Sequence, residues 1–134
     1  MHVLIASSSA YRRGLYQEAV QGLGHEASLA DGGVDCVAQI RRRRPDFLLL
    51  EAPLLWGGSD GVLEVVNSID PPHPRVIVAA LGPGSIDWFQ LSRYRVSDIL
   101  FRLPTKQELQ RALAIPPPGA VSDGKGQAIL AKAR

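Results

Sequence analysis

Five short apolar runs, separated by segments whose apolar residues have helical spacing, most constrain what this chain can fold into. The runs are HVLIA, EASLA, FLLL, RVIVAAL and DILF, which begin at His2, Glu26, Phe47, Arg75 and Asp98. Strands that are apolar on both faces are typical of a parallel sheet covered by helices. With right-handed crossovers, this alternation predicts an α/β fold, namely a doubly wound, five-stranded parallel sheet in the order 2-1-3-4-5.

The intervening segments have the start and stop signals of helices. Gly24 follows the first of them as a stop signal, and Asp60 is a good N-cap for the third. Thr105 and Glu108 form a capping box before the last helix. The predicted apolar faces are Tyr11, Leu15, Ala19 and Leu23; Val34, Val37 and Ile40; Val62, Leu63, Val66 and Ile69; Trp88, Phe89 and Leu91; and Leu109 with Leu113.

Composition excludes several classes of function. No apolar run reaches the roughly 18 residues of a membrane span, and the N-terminus lacks the features of a signal peptide, so we expect a cytoplasmic protein. The net charge of +2 does not argue for nucleic acid, and Arg41 to Arg44 are expected to be an exposed helix end rather than a DNA contact. The single cysteine, Cys36, makes a thiolate zinc site implausible and is predicted to be a core or half-buried thiol.

The last twenty residues differ from the rest. Three prolines, Pro116 to Pro118, favour an extended linker, and the helix-prone GQAILAKAR that follows is too short to be stable alone. We therefore expect one domain over residues 1–114, and a linker or C-terminal tail over residues 115–134. The tail either ends the protein or leads to an output domain.

The carboxyl ends of the first, third and fourth strands form the functional crevice of a sheet of this order. Those ends carry Ser7 to Ser9, Glu51 and Ala80. Glu51 is unexpected at the end of a buried strand, because an ionised carboxylate is costly to desolvate unless a partner is supplied.

Six segments, in order and at matching intervals, resemble the receiver domain of two-component response regulators. They are HVLIASSS, LGHEASLADG, RPDFLLLE, SDG at the start of the third helix, RVIVAAL and SDILFR, and the resemblance covers Met1 to about Ala114. It implies a flavodoxin-like fold and a module of signal transduction rather than an enzyme.

The resemblance also implies a phosphorylation site, but every position of that site differs here. The corresponding residues are Ser7 and Ser8 for the acidic pair that holds magnesium, Glu51 for the phosphoacceptor aspartate, Ala80 for the hydroxyl residue that ends the fourth strand, Ile99 for the aromatic switch residue of the fifth strand, and Arg102 for the lysine that follows it.

These differences remove the chemistry of a phosphorelay. Magnesium needs carboxylates to compete with water, and the hydroxyls of Ser7 and Ser8 are poor substitutes. Glu51 places its carboxylate one methylene further out, which spoils in-line alignment for phosphoryl transfer. We therefore expect an atypical receiver with no metal, no cofactor and no phosphorylation cycle. Glu51 is then either an exposed carboxylate stabilised by water and loop amides, or a fixed charge paired with Arg102.

Receivers of this family commonly associate through the face built by the fourth helix, fifth strand and last helix. The resemblance therefore predicts a homodimer or a protein partner on this face, and it allows an attached output domain of a transcriptional regulator. Aromatic and arginine side chains dominate interface energetics, and the region carries Trp88, Phe89, Arg93, Tyr94 and Arg95.

A second hypothesis is a small-ligand domain of flavodoxin-like fold. Ser7 to Ser9 could bind the phosphate of a flavin or nucleotide beside a helix N-terminus. Alternatively, these small residues only allow the first strand to turn into its helix. No histidine is placed to activate a serine, so the sequence does not support a hydrolase.

Overall fold

The computed structural model describes residues 1–54, 58–82 and 94–114 and contains a single five-stranded sheet. All its strand pairs are parallel, in the order β2-β1-β3-β4-β5. This confirms the predicted fold class. The strands are β1 His2–Ala6, β2 Glu26–Ala30, β3 Phe47–Ala52, β4 Arg75–Ala80 and β5 Asp98–Leu100.

Four helices are described, and they cover both faces of the sheet. They are α1 Ala10–Gly22, α2 Gly33–Arg42, α3 Gly58–Ser68 and α4 Lys106–Ala114. The side chains of α1 and α4 pack with one set of strand residues, and those of α2 and α3 pack with the other. Among the described residues, no helix is long and apolar enough to cross a membrane. The helix predicted around Trp88 and Phe89, and the tail over residues 115–134, lie outside the described residues.

The three central strands are buried along their whole length, which explains their unbroken apolar sequence. Neighbouring residues of one strand serve opposite faces. Phe47 and Leu49 belong to the core under α1 and α4, whereas Leu48 and Leu50 belong to the core under α2 and α3. A polar side chain at any position in these strands would therefore be desolvated on folding.

The buried face of α1 is centred one residue away from the predicted face, of which Ala19 and Leu23 still pack half-buried against the core. Tyr11, predicted to be on the apolar face, is 76% exposed. The buried residues of the helix are Tyr16 and Val20, which share a row with Arg12. Two adjacent rows of α1 both carry apolar residues at four-residue spacing. The row that faces the sheet contains Arg12 and Tyr16, whose polar atoms have a buried hydrogen-bond partner.

The apolar face predicted for the second helix is confirmed in part, because Ile40 is buried and Val37 packs half-buried against the core. Val34, predicted to face the core, is 69% exposed, and the buried residues of α2 are Gly33, Cys36 and Ile40. Cys36 is fully buried, as predicted, and burial raises the pKa of its thiol to about 12. The arginine run at residues 41–44 is exposed, as predicted for a helix end.

Most of the predicted helix boundaries are confirmed. Gly24 adopts φ 89° just after α1, a left-handed conformation that favours glycine. The capping box is present, because Glu108 N–H donates to Thr105 Oγ1 at 3.1 Å and Thr105 N–H donates to Glu108 Oε1 at 3.0 Å. Asp60 is not an N-cap, since α3 begins at Gly58 and Asp60 lies within its first turn.

Candidate functional site

The crevice residues converge because their strands are parallel and in register. Ala6 of β1 lies beside Leu50 of β3. The next residue along each strand is Ser7 and Glu51, respectively. The Ser7 N–H continues the sheet pattern by donating to the Ala30 carbonyl at 3.1 Å. Ser7 is fully buried and Glu51 is 1% exposed, so a carboxylate is enclosed at the carboxyl edge of the sheet.

Both carboxylate oxygens of Glu51 are occupied by donors from this chain. Ser7 Oγ donates to Oε1 at 2.9 Å, and Tyr16 Oη donates to Oε2 at 2.8 Å. Arg12 binds both oxygens, with Nη2 on Oε1 and Nε on Oε2, each at 2.9 Å. Four donors, two of them from one planar guanidinium, offset the desolvation of the buried charge.

The first turns of α1 place the donors. Ser9 caps the helix through its Oγ, which accepts from the Arg12 N–H at 3.2 Å. Arg12 and Tyr16 are then one turn apart and lie on one face of the helix. Arg13 Nη1 donates to the Ser7 carbonyl at 2.7 Å and ties the strand end to the same helix.

This arrangement shifts the pKa values of two of the donors, Arg12 and Tyr16. The hydrogen bond to Glu51 raises the pKa of Arg12, which therefore stays charged. Burial, reinforced by the hydrogen bond to Glu51, raises the pKa of Tyr16 well above its usual value, so its hydroxyl keeps the proton that it donates. The cluster is a fixed ion pair supported by two neutral donors.

Both interpretations of Glu51 made from the sequence are wrong. The carboxylate is buried rather than exposed, and its ion pair is with Arg12 rather than Arg102. Arg102 Nη1 instead donates to Glu108 Oε1 at 2.6 Å, within the capping box of α4. The short loop after β5 directs Arg102 to the start of the following helix, while Arg12 reaches Glu51 from inside a regular helix.

The remaining predicted residues are dispersed. Ala80 is buried and pairs with Ala52, one residue beyond Glu51. Ile99 is half-buried against the core under α2 and α3, as is Tyr94, whose Oη donates to Glu64 Oε2 at 3.0 Å. Ser8 is half-buried and Arg95 is exposed. Trp88, Phe89 and Arg93 lie outside the described residues.

The site does not fit the magnesium ion that receivers bind. A hard dication needs several free oxygen ligands, preferably from carboxylates. The oxygens of Glu51 already accept four hydrogen bonds, and the Arg12 guanidinium adds a positive charge beside them. In the described ranges, no three His, Cys, Asp or Glu side chains are grouped so that they could hold a metal ion.

Comparison with solved structures establishes the fold. The N-terminal domain of a response regulator/sensory box/GGDEF three-domain protein from Carboxydothermus hydrogenoformans matches with a TM-score of 0.77 and 13% identity, over 100% of both chains. The signal receiver domain of a putative Luxo repressor protein from Vibrio parahaemolyticus matches with a TM-score of 0.73 and 24% identity, over 84% of this chain and 86% of that chain.

A third similar structure contains a metal ion. It is the receiver domain of a sensor histidine kinase from Pseudomonas aeruginosa PAO1, with magnesium coordinated in its active site cleft; its TM-score is 0.75 at 18% identity, over 84% of this chain and 93% of that chain. No protein-family model matches the chain, and no curated protein matches it. The chain therefore has the fold of response-regulator receiver domains.

Sequence reasoning missed Arg12 and Tyr16, the two residues that define the site. A signal was present, because Arg12, Tyr16 and Val20 are spaced four residues apart in the helix that follows β1. An arginine, a tyrosine and an apolar residue at this spacing lie on one face of the helix, and this face runs from the crevice into the core. Once a glutamate is placed at the end of β3, that row supplies its donors.

Proposed function

We propose that this chain is an atypical receiver domain that acts in signal transduction through protein contacts, without a phosphorylation cycle. The observation that carries the proposal is the buried Glu51, whose two oxygens accept hydrogen bonds from Ser7, Arg12 and Tyr16. The residue at the phosphoacceptor position is thereby engaged in holding β1, β3 and α1 together.

A phosphoacceptor needs a free carboxylate oxygen in line with the incoming phosphoryl group, together with a metal ion to stabilise the transferred charge. An incoming phosphoryl group has no open path to Glu51, because this residue is only 1% exposed. The Arg12 guanidinium neutralises its charge without providing the open coordination sites of a magnesium ion. The arrangement supports a single, permanent state of the crevice rather than a switch between two states.

The experiment is incubation of the protein with acetyl phosphate and magnesium, followed by intact mass measurement. An ordinary receiver treated in the same reaction is the positive control. We expect no phosphoryl adduct on this chain. A stoichiometric adduct on the wild type that is lost in Glu51→Gln would contradict the proposal.

The output of such a module is contact with a partner protein or with an attached output domain, as in a transcriptional regulator. We place this contact on the face formed by β5 and α4, to which Trp88, Phe89 and Arg93 also belong in the family resemblance. Two apolar side chains there support it, since Phe101 is 63% exposed and Leu103 is 40% exposed. Exposed aromatic groups beside arginines are typical of interface anchors.

This contact face is tested with a Phe101→Ser, Leu103→Ser variant. A protein captured by the wild type from its source cells is identified, purified and titrated against both forms. We expect its dissociation constant for the variant to rise at least about tenfold, as for interface anchors. Equal affinity for both forms would show that the contact lies on another surface. Thermal unfolding shows whether the variant remains folded.

The second hypothesis, a flavin or nucleotide at Ser7 to Ser9, gains no specific support. The Ser7 hydroxyl donates to Glu51, and the Ser9 hydroxyl caps α1, so both are engaged in the fold. An absorbance spectrum of the purified protein tests it, because a bound flavin absorbs visible light, which the chain does not, and a bound nucleotide shifts the ultraviolet maximum to a shorter wavelength.

A further inference from the structure

The outer side of α2 carries an apolar stripe that is separate from its core face. Val34 is 69% exposed and Ala38 is exposed one turn later, opposite the buried row of Cys36 and Ile40. Beside the stripe runs a groove of about 380 Å³ between α2 and α3. The residues that line this groove are Gly33, Val34, Val37, Ala38, Arg41 and Gly61.

Opposite charges stand at the two ends of this stripe. Asp35 lies in the first turn of α2, and Arg41 and Arg42 lie in its last turn. Asp35 and Arg42 are seven residues apart and lie on one side of Ala38, whereas Val34 and Arg41 lie on its other side. The face therefore has an acidic end, a small residue at its centre and a basic end.

Such a face is complementary to itself. If two copies meet with antiparallel α2 helices and a two-fold axis at Ala38, each Asp35 faces the Arg42 of the other copy. The same operation places Val34 against the aliphatic stem of Arg41 in the other copy. Ala38, which has the smallest side chain of the stripe, lies at the axis and allows the two helices to approach closely. We propose that this face, defined as Val34, Asp35, Ala38, Arg41 and Arg42, binds a second copy of the chain.

Symmetry and charge favour a second copy over another occupant. A different partner would need a matching acidic and basic end of its own, whereas this chain already presents both on the same side of one small residue. Like-charge contacts disfavour a parallel arrangement, in which the two aspartates and the two arginines would face each other.

The expected affinity is modest. A contact built on one helix of ten residues falls below the roughly 1,200 Å² of a standard stable interface. The dimer therefore forms in the micromolar range, and its population depends on protein concentration. The β5 and α4 face stays free for a different partner, so this inference goes beyond the proposed function and does not depend on it.

The first test is sedimentation equilibrium of the wild type, Ala38→Arg and the control Gln21→Arg, at an exposed position of α1, over a range of concentrations. Ala38 is exposed, so a long side chain there blocks the contact without entering the core. We expect self-association of the wild type and of Gln21→Arg, and a dissociation constant raised at least about tenfold in Ala38→Arg. A wild type that is monomeric at about 500 μM, or a dimer that Ala38→Arg leaves intact, would overturn the proposal.

The second test uses charge complementation between two variants, Asp35→Lys and Arg42→Glu. Each variant alone brings like charges together at both ends of the contact and is expected to be monomeric. An equimolar mixture pairs the remaining Asp35 with the remaining Arg42 and the new lysine with the new glutamate, so we expect association to return. Circular dichroism establishes that each variant is folded. A mixture of folded variants that stays monomeric, while the wild type associates, refutes the antiparallel geometry.

Discussion

Removing Arg12 is the perturbation that most directly tests the buried ion pair. Arg12→Met keeps the length and the apolar stem of the side chain but removes the guanidinium. The Glu51 carboxylate then retains the donors Ser7 and Tyr16 and loses two of its four hydrogen bonds. An ionised group with 1% exposure is left without its counter-charge.

The size of the effect follows from burial and from the number of bonds. Breaking a buried ion pair by removing one partner costs about 3–5 kcal/mol, and each hydrogen bond to a charged group contributes about 1.5–3 kcal/mol. The Arg12 side chain is 36% exposed, so water replaces part of what is lost. We therefore expect the free energy of unfolding to fall by about 3 kcal/mol in Arg12→Met, and by about half as much in Arg12→Lys, which keeps the charge but not the bidentate geometry.

The assay is urea unfolding followed by far-ultraviolet circular dichroism, with Arg102→Met as the matched control. Arg102 has the same side chain and also pairs with a glutamate, but its side chain is 63% exposed. An exposed pair contributes at most about 1 kcal/mol. A cycle with Glu51→Gln and the double variant should show a coupling of about 2 kcal/mol between Arg12 and Glu51.

Two outcomes would refute this reasoning. Arg12→Met could destabilise the protein no more than Arg102→Met, in which case Glu51 is solvated or satisfied without the guanidinium. Alternatively, the effects of Arg12→Met and Glu51→Gln could simply add, in which case the two side chains do not interact in solution.

Three further predictions concern titration, capping and burial. Because the pKa of Tyr16 is raised in the folded protein, its contribution to stability is complete below the ordinary value of 10.0 and is lost as pH rises above it. Unfolding free energies measured from pH 8 to pH 11 should therefore decline more steeply in the wild type than in Tyr16→Phe. Equal slopes in the two proteins would contradict this prediction. Thr105→Ala removes the side-chain cap of α4 and should cost about 1 kcal/mol, measured by urea unfolding, whereas an unchanged midpoint would mean that the capping box is not formed. The buried Cys36 thiol, with its pKa of about 12, should react with a thiol reagent only on the time scale of unfolding, and rapid modification of the native protein would show that the residue is accessible.

The architecture could be predicted from the sequence because it depends on patterns that many residues share. The strands β1, β3 and β4 are apolar along their length, so their burial and their central places in the sheet do not depend on any single residue. The capping box at Thr105 and Glu108 was also predicted, because both of its hydrogen bonds are local in sequence. The interface residues Trp88, Phe89 and Arg93 remain a prediction.

The partner of Glu51 could not be predicted, because it depends on the rotation of one helix about its axis. Tyr11 and Arg12 differ by only 100° on the helix, and apolar spacing alone fits both rows of α1. Tertiary contacts determine which row of α1 faces the sheet, because the burial of Tyr16 and Val20 places Arg12 over the end of β3. The same ambiguity in α2 placed Val34 in the core by prediction and on the surface in the structure. Family resemblance pointed to Arg102, a position that in this chain serves a capping box.

The guanidinium over Glu51 also bears on how a phosphorylation site could be introduced into this chain. The residues of the family resemblance would require acids at Ser7 and Ser8, an aspartate at Glu51, and the removal of Arg12. An acid placed first at Ser7 stands against the buried carboxylate, and Arg12 removed first leaves that carboxylate unpaired at a cost of about 3 kcal/mol. Natural domains have only about 5–15 kcal/mol of stability to lose. Each of these substitutions made alone therefore destabilises the protein before any new chemistry is gained, so such a site could be introduced only by several changes made together.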